Sequence, residues 1–180
     1  MRALGWVLFA PLLISNRENV HAETYGHFIK LFVPVGDEQT RLFRAIETVP
    51  TIQAKAQWCF RWFNTSDCSF ASRLVAFAIV EGVFFCSSFA AIYWFRQRGI
   101  LPGLCFSNEL IARDEDMHMR FACLLYSELR DKLFTSDIHA MLDEAVSLEK
   151  AFFSGEHLHS CSVLSSSHMR QLRSAPRSWA

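Results

Sequence analysis

The chain has 180 residues, room for one domain with a sizeable core. Hydrophobic residues make up 51%, including 17 Phe, while 7 Gly and 5 Pro are too few for a turn-rich all-β fold and leave long helices open. The 18 basic residues balance the 18 acidic ones, so no basic excess points to nucleic acid and no acidic tail to a basic partner.

The first predicted helix runs from about Trp6 to Phe32, broken or kinked near Pro11. Its start is ambiguous. Arg2 precedes an apolar stretch, Ala3 to Ile14, and Val20-His21-Ala22 passes for a leader cleavage site. Cleavage there would remove Glu18 and His21, so a leader and the ligand role argued below exclude each other. Pro34 to Asp37 reads as a turn, with Asp37 capping a helix to about Thr48. Pro50 opens a helix ending near Trp62, and Asn64 to Asp67 is a loop. A long helix follows from about Phe70 to Arg96, stopped by Gly99 and Pro102-Gly103. Further helices span about Phe106 to Leu129 and Ser136 to Phe153. Past Ser154 the pattern collapses into a tail without period, Ser- and Arg-rich from Ser160 and expected to be disordered or foreign to the fold. The organisation expected is an apolar segment over 1–16, a helical core over 17–153 and a tail over 154–180.

Two features leave alternatives open. Six Cys without a CxxC pair fit either buried free thiols or disulfides of a secreted protein. Val75 to Phe95 has Glu81 as its only charge. That run is long enough to span a membrane, and equally suits a central bundle helix surrounded on all sides. In either setting a buried carboxylate needs a compensating partner, and a bound metal would supply one.

Glu18 and His21 stand at i and i+3, which places both on one helix face; Glu115 and His118 repeat the device. Both pairs lie on apolar stripes: Ile14, Glu18, His21, Tyr25, Phe28 and Phe32 in the first, and Ile111, Glu115, His118, Ala122 and Leu125 in the second. Ionisable pairs aimed at a core are costly unless they bind something. A third copy, Glu156 to His159, has no apolar stripe around it and is discounted. Two such pairs plus a lone Glu in a third apolar helix are three of the four parts of an all-α, ferritin-like di-iron carboxylate bundle. Mixed carboxylate and imidazole donors suit iron or manganese, whereas thiolates would suggest zinc.

These segments resemble one family. Glu18 to Tyr25, ENVHAETY, resembles the ENxHxExY segment of class I ribonucleotide reductase small subunits. Val80 to Phe85 with Ser88 to Ala90 resembles their central helix, and Pro102 to His118 their second ExxH helix. Ala45 to Pro50 and Ala54 to Trp58 match the helices between, and the resemblance runs from about Arg17 to Phe153. It implies that Glu18, His21, Glu81, Glu115 and His118 hold two iron ions (manganese is the alternative) and that oxygen is used to oxidise Tyr25 to a stable radical. It implies an apolar radical pocket of Phe85, Phe89 and Ile111, and an Asp114 that links a ligand His to the electron-transfer route. It implies a large catalytic subunit as partner, a homodimer, no nucleic acid, no membrane and a cytoplasmic location.

The match also breaks. The family's fourth carboxylate comes from a helix before the first ExxH, and residues 1–17 contain no Asp or Glu. The Trp of the family's electron route is absent too, because Trp6 sits in no matching context. After Phe153 the family-like sequence stops. The expectation is therefore a partial bundle, truncated at both ends, whose activity is in question; the alternative functions are an inactive remnant that binds a full-length partner and a membrane or secreted helical protein.

Overall fold

In the computed structural model of the chain the described residues are 2–63 and 68–163, with side chains over 14–63 and 68–154. They form helices in order α1 (Arg2–Phe32), α2 (Asp37–Phe43), α3 (Ala45–Thr48), α4 (Pro50–Phe63), α5 (Phe70–Val83), α6 (Cys86–Gln97), α7 (Pro102–Ser127) and α8 (Thr135–Val163), and no strand occurs among them. The all-α expectation holds. The loop expected at Asn64 to Asp67 and most of the expected tail lie outside the described residues.

Several boundaries differ from the sequence reading. Pro11 removes one backbone donor without ending α1. Gly36, rather than Asp37, occupies the N-cap of α2, and Asp37 sits in the first turn, where the helix dipole favours its charge. The helix expected to reach Thr48 in one piece divides at Arg44, where the Arg41 carbonyl accepts the Arg44 N–H at 3.2 Å and the Thr48 hydroxyl at 2.8 Å. α8 continues past Phe153 to Val163. Of the cysteines whose side chains are described, Cys59, Cys68, Cys86, Cys105 and Cys123, all are free thiols and Cys105 alone is buried.

The largest correction concerns the long apolar helix. It is two helices, α5 and α6, interrupted at Phe84 and Phe85. The break is held by side chains from elsewhere. The Ser87 backbone N–H donates to Glu149 Oε1 at 2.8 Å instead of to the previous turn. The Phe84 carbonyl accepts from Lys55 Nζ at 2.9 Å. Phe70–Gln97 together is long and apolar enough to cross a membrane, with a mean hydropathy of 2.1 over its best window. Here α5 packs most extensively against α7 and also meets α4 and α8. The α6–α7 turn follows a regular stop signal: Gly99, at φ 63, carries the left-handed residue after α6. The Ile100 N–H then reaches the Phe95 carbonyl and the Gly99 N–H the Arg96 carbonyl, both at 3.1 Å. Pro102 opens α7 at a position where no backbone donor is needed.

One side of α5 builds the apolar core, in which Val75, Ala76 and Ile79 pack with Trp58, Phe84, Met141 and Ala145 from α4, the break and α8. Gly82 lets α7 come close, since a Cβ there would meet Met119 Cγ at 3.2 Å. The helix α1 is held chiefly by α7 and α2. Glu81 on α5 thus faces α7, against which α1 also packs, and the chemistry-bearing residues gather there.

Candidate metal centre

Three helices bring the predicted donors together. α1 supplies Glu18 and His21, α5 supplies Glu81, and α7 supplies Glu115 and His118. Glu18, Glu81, Glu115 and His118 each offer one donor atom, and these atoms all lie within 4.8 Å of one another. His21 joins them from the side: its Nδ1 lies 3.0 Å from Glu115 Oε1 and 3.6 Å from Glu18 Oε2. His118 Nδ1 lies 3.2 Å from Glu18 Oε1, 3.3 Å from Glu115 Oε2 and 3.6 Å from Glu81 Oε2. His21, Glu81, Glu115 and His118 are buried, while Glu18 is half-buried.

Close approach without directed bonding is the informative feature. Glu18 Oε1, His21 Nδ1, Glu81 Oε2, Glu115 Oε2 and His118 Nδ1 are buried atoms with no hydrogen-bond partner. Native structures leave few such atoms, and each requires an explanation. Five of them around one point are explained by cations that would take them as donors, so the residues present fit a metal centre. The charge balance agrees. Burial, and next the Glu115 carboxylate, push the Glu18 carboxyl above the usual range. Burial pushes Glu81 up strongly, reinforced by the neighbouring Glu115 carboxylate. Carboxylates crowded without a counter-ion hold protons, and a divalent cation would replace them.

The neighbours of the cluster are ordered around it. His21 Nε2 lies 3.2 Å from Asp114 Oδ2, which leaves Nδ1 turned toward the carboxylates. Asp114 also pairs with Arg17 at 3.5 Å. Tyr25, one turn beyond His21, donates its phenolic hydrogen to Asn108 Oδ1 at 3.0 Å. Its pKa is pushed up to about 12, mainly by burial and then by Glu115 and Tyr93. Ile111 is buried, and the Phe85 and Phe89 rings stack with centroids 6.0 Å apart. Phe85 stands in the α5–α6 break, Phe89 one turn into α6.

Sequence reasoning missed Asn108. The signal was present: Asn108 lies three residues before Ile111 and seven before Glu115, on the same stripe of α7, and is fully buried. Glu23 and His27, given no role, form an exposed pair at 3.5 Å.

An all-helical bundle that gathers carboxylates and imidazoles from three helices around one buried point defines a carboxylate-bridged metal bundle of the ferritin-like type. The profile of the family "Ribonucleotide reductase, small chain" matches residues 12–172. The ribonucleoside-diphosphate reductase small chain of Nicotiana tabacum is 51% identical over 135 residues, covering 75% of this chain and 41% of the relative. The small subunit from Dictyostelium discoideum is 53% identical over 135 residues, covering 75% and 40%. Among solved structures, the ribonucleotide reductase Rnr4 homodimer from Saccharomyces cerevisiae superimposes with a TM-score of 0.69 at 35% identity, over 77% of this chain and 44% of that one. The chain belongs to the ribonucleotide reductase small chain family. It spans about two fifths of the length of these curated relatives (41% and 40%).

Proposed function

We propose that the chain acts as the radical-generating small subunit of a ribonucleoside-diphosphate reductase. The observation that carries this reading is the set of orphaned donor atoms from Glu18, His21, Glu81, Glu115 and His118, with Tyr25 one turn beyond His21. When bound there, two iron ions (or manganese) with oxygen would supply a one-electron oxidant. The chain's own residues do the rest. The three carboxylates and two imidazoles would hold the metals, the carboxylates offsetting most of their charge. Asp114 fixes the tautomer and tilt of His21, as partners of ligand imidazoles commonly do. Tyr25 would give up one electron and its phenolic proton to that oxidant. Phe85, Phe89 and Ile111 keep water and reductants from the oxidised ring. The radical would then serve a large catalytic subunit, in the cytoplasm, that reduces ribonucleoside diphosphates to deoxyribonucleotides, with the small chain working as a homodimer.

The test is a low-temperature electron paramagnetic resonance spectrum after anaerobic Fe(II) loading and exposure to oxygen. A tyrosyl radical is expected, absent in Tyr25→Phe while that variant still binds Fe(II). Loss of Fe(II) binding in Tyr25→Phe would count against the assignment.

One observation favours a second reading, a non-catalytic partner of a complete small subunit. Among the described residues the cluster gathers three carboxylates, Glu18, Glu81 and Glu115. Failure to form a radical, together with co-purification with a full-length small subunit, would make this the better account.

A further inference from the structure

Asn108 is the largest fully buried side chain among the described residues. Its Oδ1 accepts from the Tyr25 hydroxyl, while its Nδ2 has no partner at all. It is not among the grouped donor residues of the cluster, and a neutral amide adds no charge to them. A buried amide with half its hydrogen-bonding capacity unused is a poor choice for stability; an apolar side chain of similar size would remove the unsatisfied donor. What Asn108 offers over such a residue is one acceptor, aimed at one phenol.

We propose that Asn108 is the positioning residue of Tyr25. Accepting the phenolic hydrogen fixes the rotation of the O–H bond about the ring and limits the swing of the ring on α1. The amide neither takes nor supplies a proton near neutral pH, so it acts through Tyr25 and not on the metals. The bond joins α1 to α7 beside the cluster, and few other side-chain contacts do so. The others, His21 with Asp114 and Glu115, Arg17 with Asp114, and Glu18 with His118, lie at the Glu18–His21 end of the site. Asn108 thereby sets the end of α1 that carries the phenol. The role rests on the radical function proposed for Tyr25, but the bond can be tested without metal.

The experiment uses the full chain, metal-free, with tyrosine labelled at Cζ with carbon-13. The chain has three tyrosines, Tyr25, Tyr93 and Tyr126, and single Phe substitutions assign their signals. In Asn108→Leu the Tyr25 signal should move to the position of a phenol without an acceptor, while those of Tyr93 and Tyr126 stay. Asn108→Asp, which keeps an acceptor oxygen, should restore it. An unmoved Tyr25 signal in the Leu variant overturns the proposal, as does a common shift of all three signals in both variants. In the unsubstituted chain the Tyr25 hydroxyl proton should exchange slowly and show a through-space cross-peak to the Asn108 amide protons. Its absence overturns the proposal even where the variants fail to fold. In the iron-loaded chain, the β-methylene hyperfine pattern of the radical should change in Asn108→Leu; an identical pattern sinks the positioning role. Absence of any radical, with the Tyr25 signal responding as expected, sinks the radical function and leaves the bond standing.

Discussion

Glu149 on α8 accepts the backbone N–H of Ser87, and its carboxylate also takes the Ser87 hydroxyl, so a side chain 62 residues away ends one helix and starts the next. The same carboxylate forms an ion pair with Lys55 on α4, whose ammonium donates to the Phe84 carbonyl and lies 3.7 Å from the Phe152 ring centroid. The two backbone groups that an unbroken α5–α6 helix would pair internally are satisfied by this buried pair instead. That arrangement places Glu81 at the end of α5 and Phe85 in the break, so the geometry of the site depends on α4 and α8 as well as on its own helices.

Removing Glu149 therefore does more than delete a salt bridge. Glu149→Ala leaves Lys55 buried without a counter-charge and frees the Ser87 N–H, and breaking a buried pair in this way costs about 3–5 kcal/mol. The exposed pair Asp116–Arg120, with side chains 51% and 74% exposed, is the control, and Asp116→Ala should cost no more than about 0.5 kcal/mol. Urea unfolding followed by far-ultraviolet circular dichroism measures both. Equal effects would mean that the buried pair carries no special weight.

The raised carboxyls of Glu18 and Glu81 predict a pH dependence of unusual sign for acidic groups. A folded-state pKa above the unfolded value, near 4.5, means that the native chain binds more protons than the unfolded one. Stability from these groups is fully present below about pH 4.5 and is lost as pH rises toward their folded values. Metal-free chain should accordingly lose stability as pH is raised through the neutral range, by the contribution of these two groups. Divalent metal reverses the trend: binding must displace protons, so affinity should rise with pH. Calorimetric Fe(II) or Mn(II) titrations in buffers of different ionisation enthalpy would detect the released protons, and binding without release would contradict the raised values.

Glu81 gives a sharper version of the same idea. It is 8% exposed, is the one charge between Val75 and the end of α5, and has no hydrogen-bond partner for Oε2. Glu81→Leu should stabilise the metal-free chain by removing a buried, repelled carboxyl, and should weaken Mn(II) binding by more than tenfold. Thermal unfolding and a metal titration on the same preparation decide it. A variant that is less stable and binds metal normally would show Glu81 to be structural.

The donors were legible in the sequence because each works through local spacing. Glu18 with His21 and Glu115 with His118 need only one helix each to be aligned, and Glu81 announces itself as the one charge in an apolar run. Whether α1, α5 and α7 bring them to one point is a matter of tertiary packing; the pattern of two such pairs and a lone buried carboxylate raised that expectation, and the family resemblance sharpened it. The position of Asn108 on the α7 stripe was legible, but its pairing with Tyr25 was not, because the two lie 83 residues apart. The α5–α6 break was hidden for the same reason. Residues 75–95 have no Pro and only Gly82 to suggest an interruption, and the side chains that impose it, Lys55 and Glu149, lie on other helices. The bond from the Thr48 hydroxyl to the Arg41 carbonyl, where α2 divides from α3, acts over a shorter range but likewise is not shown by propensity.

The turn into α7 allows a test in which local and tertiary effects separate. Gly99 adopts a left-handed conformation, and nothing lies within 4 Å of the point where a Cβ would stand, so a side chain there meets no steric clash and any cost is conformational. Gly99→Ala should destabilise the chain by roughly 1–2 kcal/mol, the penalty of left-handed backbone for an L-residue. Gly103, inside the first turn of α7 and equally open, has no positive φ. Gly103→Ala should therefore stabilise the chain, by roughly 0.5–1 kcal/mol, because alanine loses less freedom in a helix. Paired denaturation curves read the two signs. Destabilisation by both substitutions would mean that the α6–α7 turn is packed against something that these open surroundings do not include.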